Sequence, residues 1–230
     1  MATRVRRLGG VHRPPTGMSR GDQHVTGEKG RRRRAEIIDA AERLFSEQGY
    51  ERTTAQDIAD ATKILKGSLY YYIGSKEQLL FEVLLRTHQQ LHTFVVEEVD
   101  YLALPAQEAV RTFVERHIEW VLGNSSVTGL YGQELDVVRS VDAWWQALVE
   151  ARHRYELALV ALVRRVDDAG RADLADNNED EDDSVLTARA FLTMANGTRQ
   201  WFRNNGSLTA RDVATHHARL TVRSLSESDE

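Results

Sequence analysis

No stretch of this 230-residue chain alternates apolar and polar residues with period two, the pattern a half-buried strand needs. From Arg31 nearly to the C-terminus, apolar residues recur instead at three- and four-residue spacing. The sequence therefore predicts an all-α protein of about nine helices. Its hydrophobic content of 41% is enough to fill the core of such a body.

Ile37, Ala41, Leu44 and Phe45 mark a first helix over 31–48, closed by Gly49. Thr54-Ala-Gln-Asp57 reads as a capping box, with Asp in place of the preferred Glu, opening a short helix that turns Ile58 inward. After a brief turn, Leu69 and Ile73 share the buried face of a helix over 65–73. Ser75 starts a longer helix to about residue 100, with Glu77 in its first turn. Further helices are expected over 105–122, 128–140, 142–169, 184–204 and 209–224. Loops are expected at Gly123–Ser126 and along the acidic stretch Asp176–Asp183.

The charge is uneven. The net charge of −5 combines +8 over residues 1–34 with −13 over the rest, as expected where a polyanion meets one end only. Residues 1–30 hold two of the three prolines and little apolar periodicity, so a disordered basic leader is expected there. With no cysteine, disulfides, thiolate nucleophiles and Cys-type zinc sites are excluded. No apolar run approaches the roughly 18 residues of a membrane span, and the N-terminal stretch lacks the apolar middle of a signal peptide. A cytoplasmic protein is expected.

The stretch Lys66-Gly-Ser-Leu-Tyr-Tyr-Tyr-Ile73 raises a sharper question, because three adjacent tyrosines on a helix cannot all face a core. Two short helices behind a longer one form a three-helix helix-turn-helix, with the tyrosine helix as the recognition element. With Leu69 and Ile73 inward, Lys66, Ser68, Tyr70 and Tyr71 point partly or wholly outward, and Tyr72 either packs between helices or does both jobs. A tyrosine offers its ring to a sugar or thymine methyl and its hydroxyl to a phosphate. Lys76, at the next helix start, stands where an ammonium and backbone N–H groups can hold a phosphate together.

Residues 31–80 resemble the DNA-binding domain of the TetR family of transcriptional regulators. The resemblance rests on Ile37, Ala40, Ala41, Leu44, Phe45, Gly49, Thr53, Thr54, Ile58, Ala59, Gly67, Leu69, Tyr70, Tyr72, Lys76, Glu77 and Leu79. It implies a helix-turn-helix domain over 31–76 and a helical ligand-binding and dimerisation domain over 77–230. It also implies a homodimer on a pseudo-palindromic double-stranded DNA operator. Carried over by position, Thr54, Tyr70 and Lys76 would contact phosphate, Lys66, Ser68 and Tyr71 would meet base edges, and Arg31, Arg32, Arg33 and Arg34 would reach the backbone or minor groove. The chain departs from the family at Lys63, where Gly is usual, at Leu65, where a capping residue is usual, and at Ile73, where Phe is usual. A slightly altered turn is expected.

In the C-terminal part, Phe191, Leu192, Ala195, Trp201, Phe202, Val213, Ala214, Leu220 and Val222 are to be divided between monomer core and a four-helix dimer bundle. Trp120, Tyr131, Trp145, Met194, Asn196 and Trp201 are the candidates for a ligand pocket. Lys66–His88 and Asn196…Trp201-Phe202…Gly206-Ser-Leu-Thr resemble a subgroup associated with lipid catabolism and acyl-coenzyme A thioesters. The expected function is a ligand-responsive repressor released by a hydrophobic small molecule or acyl-CoA. The alternatives are a non-specific DNA binder driven by the basic arm, or a helical enzyme. His88 and His92 have a metal-capable i,i+4 spacing but lack an evident third ligand, so neither a metal nor another cofactor is expected.

Overall fold

Glycines and short polar side chains set the ends of the first helices in the computed structural model, which describes residues 27–133, 135–170 and 181–226. These residues form ten α-helices and no strand. They are α1 (Glu28–Gln48), α2 (Ala55–Ala61), α3 (Lys66–Ile73), α4 (Lys76–His92), α5 (Ala106–Gly123), α6 (Ser125–Gln133), α7 (Leu135–Arg139), α8 (Asp142–Gly170), α9 (Glu181–Trp201) and α10 (Ala210–Ser226). A π-helical turn, Thr93–Glu97, continues α4, and a 3-10 turn, Tyr101–Ala103, precedes α5. No helix among the described residues is long and apolar enough to cross a membrane.

Several boundaries differ from the sequence expectation. α1 starts at Glu28, inside the stretch expected to be a disordered leader; residues 1–26 lie outside the described residues. The loop expected at Gly123–Ser126 is only a break between α5 and α6, where Asn124 turns its backbone N–H onto Trp120 O at 2.9 Å. The helix expected over 128–140 is two short ones. Of the acidic loop expected over 176–183, residues 176–180 lie outside the described residues, while Glu181–Asp183 form the first turn of α9.

The α2–α3 turn decides where the tyrosine helix points. Thr54 and Asp57 close the capping box from both sides: Asp57 N donates to Thr54 Oγ1 at 3.2 Å, and Thr54 N donates to Asp57 Oδ2 at 2.7 Å. These bonds hold the Asp57 carboxyl below its usual range. At the other end, Lys63 takes φ 55°, the left-handed conformation that favours glycine, and Ile64 N donates to Ala59 O at 3.0 Å. In place of the slightly altered turn expected, Lys63 keeps a tight left-handed turn, which carries some strain. Leu65 caps α3 without a side-chain bond, and Gly74, at φ 69°, ends it.

Two apolar clusters meet along α4 and α8. The N-terminal cluster gathers Ile37, Phe45, Ile58, Leu69, Ile73 and Leu80, and extends to Val127, Val138 and Leu148 of α6, α7 and α8. The C-terminal cluster surrounds α5, whose Val110, Phe113, Val114, Ile118 and Leu122 are buried among α8, α9 and α10. α4 gives Leu79–Leu84 to the first cluster and Leu91 to the second.

Replacing Lys63 by glycine removes the steric cost of a left-handed side chain, less the extra entropy of glycine in the unfolded chain. Lys63→Gly is expected to stabilise the protein by roughly 0.5–1 kcal/mol in urea titrations; a loss of stability would contradict the turn geometry.

Candidate nucleic-acid interface and a buried polar pair

α3 buries Leu69 and Ile73 completely, which turns the opposite side of this two-turn helix to solvent. Lys66 and Ser68 are exposed, and Tyr70 and Tyr71 are 42% and 49% exposed. Tyr72 is half-buried, packs against the N-terminal cluster and meets the Tyr71 ring edge-on at 5.3 Å between centroids. The run of three tyrosines thus divides into two outward phenols and one packing phenol. A Cβ added at Gly67 would meet nothing within 4 Å, so no contact within the described protein demands glycine there. Thr54 is exposed at the start of α2.

The four arginines at the start of α1 divide as well. Arg31 and Arg32 are exposed, Arg32 resting 3.3 Å from Glu36. Arg33 departs from the groove-contact expectation, because its guanidinium donates to Thr62 O at 2.8 Å and to Glu36 at 2.6 Å. Arg34 departs further: Nε donates to Tyr72 O at 3.2 Å and Nη2 to Glu82 at 2.6 Å, tying α1 to α3 and α4. Lys76 is committed too. Its ammonium donates to Tyr50 O and Thr53 O, each at 3.1 Å, and lies 4.0 Å from the Tyr50 ring centroid. A phosphate at the α4 N-terminus would have to share this ammonium with two carbonyls.

The five pocket candidates whose side chains are described lie in separate surroundings. Trp120 packs against the C-terminal cluster, whereas Trp145 lies beneath the Arg139 guanidinium, 4.6 Å from its ring centroid. Asn196 is exposed on α9, and Met194 and Trp201 are 37% and 51% exposed. The side chain of Tyr131 lies outside the described residues. Helical periodicity placed these residues on faces without showing which faces neighbours cover. Met194 and Trp201 instead continue an outward stripe with Leu186 of α9, and Leu220 is exposed on α10. Phe191, Ala195, Val213 and Ala214 belong to the monomer core.

The body also contains a polar constellation that the sequence reading passed over. His117 of α5 is 2% exposed and Tyr155 of α8 is 4% exposed, with His117 Nδ1 2.7 Å from the Tyr155 hydroxyl. His92 of α4 stands edge-on to Tyr155 at 6.3 Å, and its Nδ1 lies 3.2 Å from Glu97 in the π-helical turn. Among the described residues no three His, Asp or Glu side chains gather as a metal site. The available signal was a histidine on the apolar face of α5, between Val114, Ile118 and Val121.

Burial pushes His117 down to about 4, with the nearby Asn196 amide opposing the shift. It pushes His88 to about 4 as well, helped by the charges of Arg152 and His117. Tyr155 is raised well above its usual value by burial. As pH falls from 6.5 the unfolded chain takes up protons that the folded chain refuses, so stability declines down to about pH 4. The ion-paired or capping carboxylates Glu36, Asp57 and Asp212 act lower in the range. Thermal melts between pH 7 and 5 should show a falling midpoint that His117→Phe flattens; a flat wild-type profile would contradict the buried neutral histidines.

The arginine division gives a second expectation. Arg34→Ala should destabilise the fold by about 2 kcal/mol, since it leaves a half-buried carboxylate and a carbonyl short of a donor. Arg31→Ala should lower the salt dependence of DNA binding by about one phosphate equivalent. An unchanged salt slope would remove Arg31 from the interface.

Two family profiles match the chain in the regions that carry this geometry. The profile described as bacterial regulatory proteins, tetR family, matches residues 37–83. That described as the tetracyclin repressor-like C-terminal domain matches residues 103–225. The chain is 29% identical over 203 residues to the HTH-type transcriptional repressor KstR2 of Rhodococcus jostii, spanning 87% of this chain and 94% of that protein. The crystal structure of the TetR family regulator PfmR from Thermus thermophilus superposes with a TM-score of 0.64 at 29% identity, covering 81% of this chain and 97% of that one. AibR, solved with isovaleryl coenzyme A and operator DNA, shares the fold at a TM-score of 0.65 and 22% identity, covering 82% and 97%. The helix-turn-helix and the helical body both fall within matched regions, and the chain belongs to the TetR family of bacterial transcriptional regulators.

Proposed function

We propose that this protein is a dimeric, cytoplasmic repressor that binds a pseudo-palindromic operator through α3 and is released by an acyl-CoA thioester or similar hydrophobic effector. It acts by binding and not by catalysis. The observation that carries the reading is the outward face of α3, where two exposed phenols flank a helix whose glycine has no internal reason to be glycine. A glycine near the start of α3 allows a close approach to a sugar-phosphate backbone. Lys66, Ser68 and Tyr71 would read base edges, and Thr54 and Tyr70 would hold phosphates, with Arg31 and Arg32 reaching the flanking duplex. Lys76 would serve chiefly to rigidify the α1–α2 loop that presents Thr54. The helix-turn-helix domain would occupy residues 31–76 and the effector and dimer domain residues 77–230.

The apolar stripe of Leu186, Met194 and Trp201 on α9, with Leu220 on α10, would form the dimer face, since a monomer leaving it open would expose those side chains to water. Two copies then place their α3 helices one DNA turn apart, about 34–36 Å. The repressor reading is supported by KstR2, and the effector reading by AibR, whose complex contains isovaleryl coenzyme A and operator DNA. An effector that prefers the splayed dimer lowers operator affinity by the ratio of its affinities for the two states and by no more.

The test begins with selection of a binding site from random duplex DNA. Octanoyl-CoA should weaken binding to the selected site by roughly tenfold or more, while free CoA should not. Gly67→Ala should raise stability by up to about 1 kcal/mol and yet weaken binding to the selected site. Full affinity in Gly67→Ala, or failure to select any site, would remove α3 as the reading element.

A further inference from the structure

The C-terminal core holds a hydrogen-bond donor without a well-placed acceptor. Tyr155 is buried and stays protonated, and among the described residues its hydroxyl has one hydrogen-bonding neighbour, His117 Nδ1 at 2.7 Å. A buried phenol proton goes to the acceptor beside it, so Tyr155 donates to Nδ1 and the imidazole carries its own proton on Nε2. That Nε2 atom is sealed from solvent and has no hydrogen-bond partner of normal geometry; the Asn196 amide acts on the imidazole only strongly enough to oppose part of the effect of burial. Leaving such a group unsatisfied is costly, and a native core that retains one has a use for it.

Resting on the effector reading above, we infer that His117 Nε2–H is the donor that recognises a carbonyl oxygen of the effector, with Tyr155 as the residue that fixes its tautomer. The acceptor is neutral, because a neutral imidazole in an apolar wall offers no charge to offset a desolvated carboxylate. The surroundings suit an acyl chain: the Phe113 ring lies 5.3 Å from Tyr155, and Leu91, Leu159 and Phe191 belong to the same cluster. Asn196 is exposed on α9 and its amide acts on the His117 imidazole, so α9 is the side from which a carbonyl reaches the donor. The site also adjoins the moving part. His92 packs on Tyr155 and pairs with Glu97 in the π-helical turn that continues α4, and α4 is bound to α1 through Arg34 and Arg86. A carbonyl seated on His117 thus meets the helix that carries the DNA-binding end.

The experiment compares octanoyl-CoA with S-octyl-CoA, a thioether that keeps the chain and the nucleotide but lacks the carbonyl oxygen, by calorimetric titration of the full chain. The wild type should bind the thioester about tenfold more tightly, the value of one buried hydrogen bond. His117→Phe should bind the two probes equally, near the wild-type affinity for the thioether. Tyr155→Phe should narrow the difference, because the tautomer is no longer fixed. If His117→Phe fails to fold, His117→Gln, which retains an N–H, should keep part of the discrimination. Equal wild-type affinity for the two probes would overturn this inference and leave the acyl-CoA reading intact. If neither probe binds, the acyl-CoA reading fails and this inference falls with it.

Discussion

Everything in this fold passes through α4. Its first two turns complete the core of the helix-turn-helix, and its last turns enter the core of the C-terminal body. Two ion-pair ties secure the junction on the α1 side. Arg34 joins Glu82, and Arg86 reaches both Asp39 and Glu42. These contacts are partly sheltered, so they are screened less than surface pairs and hold direction as well as distance. A small rotation of α4 in the body must therefore turn the tyrosine helix, because packed interiors move as units.

Charge in this protein is divided between recognition and architecture. The arginine run at the start of α1 looks uniform in sequence, yet Arg33 and Arg34 are drawn into contacts with the end of α2 and with α3 and α4. The same holds for Lys76, whose ammonium organises the loop between α1 and α2. Cations committed in this way position the exposed side chains of α2 and α3, which are left for a polyanion. The C-terminal body shows the complementary arrangement, with neutral imidazoles inside and an apolar stripe outside.

The helical class, the capping box at Thr54 and the burial of Leu69 and Ile73 were legible because they depend on residues three or four apart. The outward direction of Tyr70 and Tyr71 followed from the same period. Arg34 was not legible in this way: its partners lie 38 and 48 residues away, and only tertiary packing brings them together. Lys63 misled because a neighbouring network can hold a left-handed lysine at modest cost. The tryptophans misled for a different reason. A large ring on an amphipathic helix fits a core, a pocket wall or a subunit face equally well, and the structure packs Trp120 against the core while leaving Trp201 half exposed on α9. His117 needed a partner from another helix before its role could be seen.

The π-helical turn at Thr93–Glu97 stores one surplus residue at the end of α4, and its loosened carbonyls are taken up by side chains: Arg116 donates to Phe94 O and Tyr101 to Val95 O. An extra residue displaces the helical phase by about 100°. The face α4 shows to α1 and the face its continuation shows to α5 are consequently set by separate registers. Drift in the sequence of one half can be absorbed without re-aiming the other, much as a coupling between two shafts tolerates misalignment. The C-terminal body can thus be remodelled over evolutionary time while the DNA end keeps its bearing.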